Sequence, residues 1–301
     1  MSALHPIPQT STTKEYDTLN TADKVALITG ASSGIGRALA LELLANQYKV
    51  YVTVRREPQL AELIALGLSP LLLDVNDPMA INQAISQLEN DQQRLDLLIN
   101  NAGFGAMGPV LDCSFDELNQ QFQTNVFSIV GLTRRCLPLL AKSGGTVVNI
   151  GSVSADFVTP FAGVYCASKA ALHALNTALR LELAPFGIHT VLVQPGAIAS
   201  SFGNTAIGHA EQLLSEQSPW WPLRQGIRKR AAASQQKPTP ADQFALKVVK
   251  KLQQNPPPRR IRAGYGSVIL PLLAAVLPEF MLDAILRRQF LLPKNGSLKM
   301  K

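Results

Sequence analysis

Only three cysteines, Cys113, Cys136 and Cys166, occur in 301 residues. Their spacing fits no metal-ligand pattern and their number is odd, so neither a disulfide framework nor a zinc site is indicated, and a reducing, cytoplasmic setting is expected. No uninterrupted apolar run reaches the roughly eighteen residues that a membrane span needs. Residues 1–22 are polar, hold two prolines and lack the apolar stretch of a secretory signal, so a flexible tail is expected there. No low-complexity linker or long-period repeat divides residues 23–301, which are expected to form one domain. Acidic residues are outnumbered, 21 against 28 basic ones, giving a net charge of +7. The basic residues are spread along the chain, with concentrations at 224–230 and 259–262, and a solvated basic face is expected rather than a nucleic-acid partner.

From Lys24 onward, short runs rich in Val, Ile and Leu alternate with stretches of helical period, the pattern of a buried parallel sheet covered by helices. Strands are predicted near 24–29, 49–54, 69–74, 95–100, 145–151 and 188–194, and helices near 34–46, 78–90, 115–141 and 163–185. Two helices carry start signals: Asp77-Pro78 offers a cap and a first-turn proline, and Ser114 with Glu117 forms a capping box. Such repeated βα units predict a doubly wound, mostly parallel α/β sheet with its ligand at the carboxyl ends of the strands. The pattern breaks over 196–238, predicted as a long irregular lid, before a helix opens at Thr239-Pro240. A C-terminal extension, 256–301, holds one last strand, Arg260–Ala263, and an apolar tail divided by Pro271 and Pro278.

Between the first strand and first helix lies Gly30-Ala31-Ser32-Ser33-Gly34-Ile35-Gly36. Glycines there let the backbone turn tightly and approach a pyrophosphate, to which the helix N-terminus offers free N–H groups and a positive dipole end. Farther on, Tyr165 and Lys169 stand four apart in a helical run and share one face. A free tyrosine with a pKa near 10 is a poor acid/base at neutral pH, and a neighbouring ammonium favours its phenolate. At the end of the second strand, where an acid would bind ribose hydroxyls and repel a 2′-phosphate, there is none: Val54 is followed by Arg55 and Arg56. NADP(H) is therefore the expected cofactor, with NAD(H) left open.

In order along 24–200, Thr29-Gly30-x-x-x-Gly34-Ile35-Gly36, Asn100-Asn101-Ala102-Gly103, Asn125, Ser152, Tyr165-x-x-x-Lys169 and Pro195-Gly196 resemble the motifs of the short-chain dehydrogenase/reductase family. More loosely, the second strand and the tail resemble bacterial NADP-dependent aldehyde reductases and the retinol and 17β-hydroxysteroid dehydrogenases. The resemblance implies a Rossmann-type fold and hydride transfer between nicotinamide and a carbonyl or alcohol. It implies a tetrad in which Tyr165 is the acid/base, Ser152 hydrogen-bonds the substrate oxygen, Lys169 holds the nicotinamide ribose, and Asn125 keeps a water linking Lys169 to solvent. For the cofactor it assigns Gly30, Ser32, Ser33, Gly34, Ile35 and Gly36 of the first loop, with Arg55. It adds Asp74 and Val75 at the adenine, Asn101 and Gly103, Tyr165 and Lys169, and Pro195, Gly196 and Ile198 after the sixth strand.

Each residue also has a plainer reading: Asp74 and Ser152 as loop caps, Asn125 at a helix bend, and His173, eight residues beyond Tyr165, as structural. A catalytically silent NADP-binding protein is the rival class, but it would be expected to lack part of the tetrad. Phe202, Ile207, Leu213, Leu214, Trp220 and Trp221 in the lid, with Leu270, Leu272, Leu273 and Val276 in the tail, predict a lipophilic substrate. The plainer alternative is that they complete the core. The two long helices, 115–141 and 163–185, are expected to pair in a homodimer or homotetramer. Arg259–Arg262 beside the apolar tail 267–277, with Trp220-Trp221 in the lid, supplies a further rival class, a membrane-surface or lipid-binding protein, a role that can coexist with catalysis as a peripheral membrane contact.

Overall fold

Six largely apolar segments and one Arg-Ile-Arg-Ala segment become β1 (Val25–Ile28), β2 (Lys49–Val54), β3 (Ser69–Leu72), β4 (Leu97–Asn100), β5 (Thr146–Ile150), β6 (His189–Pro195) and β7 (Arg260–Ala263). The computed structural model describes residues 24–298; the tail expected over 1–22 lies outside them. The strands form one sheet in the order β3-β2-β1-β4-β5-β6-β7, with every neighbouring pair parallel. β1 and β4 are buried at every residue, as central strands covered on both faces must be.

The helices are α1 (Gly34–Ala45), α2 (Leu60–Ala65), α3 (Pro78–Asp91), α4 (Phe115–Phe122), α5 (Ser128–Ser143), α6 (Gly163–Glu182), α7 (Phe202–Leu213), α8 (Arg224–Ala231), α9 (Ala241–Leu252), α10 (Ile269–Val276) and α11 (Glu279–Gln289). α1 and α9 cover one face of the sheet through Leu39, Leu43, Phe244 and Val248. α3 and α5 cover the other through Ile85, Leu88, Leu132 and Leu139. The predicted start signals operate: Asp77 accepts a hydrogen bond from the Met79 N–H, and Ser114 and Glu117 form both halves of a capping box. Strand order reverses between β1 and β4, which opens a crevice above their carboxyl ends.

Three expectations need correcting. The helix expected unbroken over 115–141 is interrupted by a wide, π-helical turn, Gln123–Phe127, which carries Asn125. The supposedly irregular stretch 196–238 contains α7 and α8. The buried face of α7 is built from small residues, Gly203, Ala206 and Ala210, and that of α8 holds a single large apolar residue, Ile227, beside Gly226, Ala231 and Arg230, so no large-apolar period betrays them. The basic run 224–230 is not uniformly a solvated face, because Arg230 is only 7% exposed. In the tail, Pro271 sits in the first turn of α10 and Pro278 caps the start of α11, positions a proline tolerates. Lid and tail pack together with Phe157, Phe161, Tyr165 and Cys166 around Ile227, Leu286 and Phe290, a third apolar cluster beside the crevice.

Candidate active site

The crevice is a cleft of about 1330 Å³ running from the α1 N-terminus past α6 to the lid. Small-molecule sites commonly hold ~300–1,000 Å³, so this one has room for a dinucleotide and a second molecule.

At one end the chain turns from β1 into α1. Gly36 permits the close approach: a Cβ there would lie 2.4 Å from Asn101 Nδ2 and 2.5 Å from the Gly30 carbonyl oxygen. Asn101 Nδ2 donates to the carbonyls of Thr29 (2.8 Å) and Gly30 (3.0 Å), and Thr29 Oγ1 accepts from the N–H groups of Asn101 and Ala102. β4 thereby fixes the glycine loop. No side chain caps α1 and its first turn has no acid, so its amide dipoles are left for an anion. This cradle, with Gly30, Ser32, Gly34, Ile35, Arg55, Val75 and Gly103 along its wall, fits a dinucleotide pyrophosphate and its ribose. Ser33 lines it too, but its hydroxyl is shared with Ser201 Oγ at 2.9 Å, tying the glycine loop to the root of the lid. Arg55 and Arg56 both line the cleft from the end of β2. Asp74 lines it while also capping its own turn, accepting from the Asn76 N–H at 2.9 Å.

Ser152, Tyr165 and Lys169 meet in the middle of the cleft, next to Pro195, Gly196 and Ile198. β5 delivers Ser152, and α6 presents Tyr165 and Lys169 on the face that the four-residue spacing predicts. A hydrogen bond joins the side chains of Ser152 and Tyr165; Ser152 Oγ also accepts from the Ser154 N–H at 3.1 Å, so its capping and site readings coexist. The Lys169 ammonium donates to the Ile150 carbonyl at 2.8 Å. Burial pushes its pKa down to about 8.

The expected lowering of the Tyr165 pKa by Lys169 is not what this structure gives. Burial dominates and pushes the phenol up to about 12, opposed by the Ser152 hydrogen bond and by the positive charge of Arg230 rather than of Lys169. Tyr165 is therefore protonated at neutral pH.

Asn125 is fully buried behind the cleft and does not line it. Its Nδ2 donates to the Phe104 carbonyl (3.0 Å) and Ser168 Oγ (3.1 Å), and its Oδ1 accepts from the Phe104 N–H. What it holds is the 104–106 wall, helped by Gln121, which bonds the Phe104 carbonyl and the Ala106 N–H, both at 2.7 Å. His173 is structural: Nε2 accepts weakly from the Ser152 N–H (3.4 Å), and Nδ1 lies 3.7 Å from Asp156 Oδ1. Burial pushes its pKa down to about 4, leaving it neutral.

Three residues escaped the sequence reading. Gln121 gave no signal beyond being polar on an amphipathic helix. Phe157 lies on the cleft wall in the turn after Ser152. Arg230, on α8, lines the cleft while buried, its Nε bonded to Thr159 Oγ1. Of the lid residues thought to face a substrate, Phe202 lines the cleft, its ring 5.4 Å from that of Tyr165. Ile207, Leu214 and Trp220 instead complete the third cluster. Of the tail, Leu270 lines the cleft, whereas Leu272 and Val276 are exposed.

Residues 24–211 match the family model for short chain dehydrogenase. The chain belongs to the short chain dehydrogenase family. Among its relatives is the NADPH-dependent 1-acyldihydroxyacetone phosphate reductase of Saccharomyces cerevisiae, 33% identical over 288 residues that span 92% of this chain and 95% of the relative. The 3-ketodihydrosphingosine reductase of Bacteroides thetaiotaomicron is 36% identical over 60% of this chain and 65% of its own. A short-chain dehydrogenase structure from Streptomyces avermitilis superposes with a TM-score of 0.75 at 29% identity, covering 90% of this chain and 99% of that one. As a short chain dehydrogenase the protein is an oxidoreductase acting on CH–OH groups and the matching carbonyls. The Rossmann-type sheet described above is the fold of its structural neighbours.

Proposed function

We propose that the protein is an NADPH-dependent reductase of lipophilic aldehydes or ketones. The observation that carries the substrate class is the composition of the cleft beyond Tyr165, where Met107, Phe157, Phe202, Leu270 and Phe290 line the wall. Two relatives named as reductases, one of 1-acyldihydroxyacetone phosphate and one of 3-ketodihydrosphingosine, support it. The cationic end of β2, where Val54 rather than an acid closes the strand and Arg55 and Arg56 follow and line the cleft, favours a 2′-phosphate. The bound nicotinamide would supply the hydride. For their part, Ser152 and Tyr165 hold the substrate oxygen, Tyr165 donates the proton to it, and Lys169 holds the ribose.

A series of straight-chain aldehydes from four to twelve carbons, followed by NADPH oxidation, tests the reading. kcat/KM is expected to rise several-fold per methylene at most, since a buried CH₂ is worth up to about 0.8 kcal/mol. A flat or falling series would reject it.

The assembly belongs to the same proposal: Phe115, Phe127 and Leu181, exposed on the 115–182 region, favour a homo-oligomer paired through these helices. Ile269, Leu272, Val276 and Phe280 are exposed on α10 and α11, near Arg287 and Arg288 in the last turn of α11. They favour a cytoplasmic protein that touches a membrane surface, the source of a lipophilic substrate.

A further inference from the structure

Arg230 is the one arginine in this cleft that water does not solvate: it is 7% exposed, whereas Arg55 and Arg56 at the far end are exposed. Buried guanidinium groups are normally matched by a carboxylate, because removing a charge from water is costly unless a counter-charge replaces the lost solvation. Here none does. Among the described residues no carboxylate pairs with Arg230, while neighbouring Arg228 on the same helix is paired with Glu211 at 2.6 Å. The charge-bearing neighbours that Arg230 feels are the Tyr165 phenol and the Cys166 thiol. Burial raises the pKa of both, so both are neutral at physiological pH and neither balances the cation. Burial also lowers the Arg230 pKa, yet an arginine starts so high that the group stays charged.

Its hydrogen bonding is equally incomplete. Of five N–H donors, Nε goes to Thr159 Oγ1 and a bond reaches the Cys166 sulfur. Thr159 orients the planar group from the turn after Ser152. What remains is a fork of terminal donors at the cleft wall, the shape that takes two oxygens of a phosphate or carboxylate at once. The wall around it supplies Phe157 and Phe290, which exclude water and strengthen any charge pairing.

Resting on the reductase reading above, we propose that Arg230 is a specificity-determining residue that binds an anionic group, a phosphate monoester or a carboxylate, borne by the lipophilic substrate close to its reacting carbonyl. The substrate class is then an amphiphile: an apolar chain along the third cluster, a carbonyl at Tyr165 and an anion on α8.

Two matched pairs of ketones separate the anion's sources: 1-palmitoyl-dihydroxyacetone phosphate against 1-palmitoyl-dihydroxyacetone, and 4-oxohexadecanoate against its methyl ester. With the wild-type protein and NADPH, kcat/KM for the charged member of one pair is expected to exceed that of its neutral partner by about tenfold or more, as charge-assisted hydrogen bonds allow. In Arg230→Leu the ratio should collapse to within about threefold, whatever the absolute rates, and Arg230→Lys should restore part of it. Charged and neutral members within threefold of each other in the wild type would overturn the proposal. So would an Arg230→Leu variant that loses rate on both members equally and keeps their ratio, since that marks a latch on Thr159. Calorimetry with dodecyl phosphate, dodecanoate and dodecanol, which needs no turnover, tests the anion site even where the reductase reading fails. Equal affinity for all three in the wild type, or no loss of anion affinity in Arg230→Leu, would also overturn it.

Discussion

Lys169→Met should abolish turnover while leaving the uncomplexed protein as stable as the wild type, or more so. The Lys169 ammonium is 6% exposed and its pKa is pushed from 10.5 to about 8, with burial as the cause. A folded pKa below the unfolded one means the penalty is absent above about pH 10.5, grows as pH falls, and is complete below about 8. At neutral pH this depression corresponds to about 3 kcal/mol. Methionine has a similar length and carries no charge, so it removes that penalty, but it leaves the Ile150 carbonyl without its donor, which costs about 1–3 kcal/mol. The balance lies between about zero and 2 kcal/mol in favour of the variant, or up to several degrees in Tm at about 2–4 °C per kcal/mol. Melts of both proteins without nucleotide, at pH 7 and again near pH 9.5, check the size and the sign: the wild type should gain on the variant as pH rises. Turnover should fall by at least about 10²-fold, and affinity for NADP should fall with it. A variant more than about 2 kcal/mol less stable than wild type at pH 7 would show that the ammonium is a net structural support and that this reasoning is wrong.

Tyr165→Phe should lower kcat by about 10²–10⁴-fold with NADP binding nearly intact, since only the donating oxygen is lost; steady-state rates retaining over a tenth of wild type would reject Tyr165 as the acid. Arg55→Asp should move the ratio of kcat/KM values from NADP toward NAD. Equal use of both cofactors by the wild type would refute that assignment before any variant is made. His173, buried neutral with its pKa pushed down to about 4 from 6.5, should make stability full above about pH 6.5 and cost up to about 3 kcal/mol as pH falls toward 4. Urea unfolding across that window should flatten in His173→Gln, and an unchanged slope would place the acid sensitivity elsewhere.

The parts of the site legible in the sequence are those where chemistry constrains spacing. Gly30, Gly34 and Gly36 mark a backbone that must turn and approach an anion, and Tyr165 and Lys169 share a helix face because they stand four apart. The strands were legible because burial on both faces demands unbroken apolar runs. α7 escaped because Gly203, Ala206 and Ala210 bury small side chains, which leave no strong apolar period. Arg230 escaped for a related reason: a cation in a basic run looks solvated until the fold carries it inside. Gln121 and Asn125 act through backbone groups of a distant loop, and no local pattern encodes that partnership.

The wide turn at Gln123–Phe127 amounts to one surplus residue threaded into an otherwise continuous helical rod. Because the surplus residue is taken up inside the wide turn, deleting one there would leave a regular helix with α4 and α5 nearly in phase and α5 still seated by Leu132, Cys136 and Leu139. Gln121 would keep its grip on the Phe104 and Ala106 backbone, whereas Asn125, carried by the turn itself, would lose its bonds to Phe104 and Ser168. The cleft wall thus depends on a length, the count of residues between two helices, as much as on any side chain. Substitutions can leave that count untouched, whereas a single-codon deletion at this turn would release the Asn125 half of the wall without unfolding the sheet beneath it.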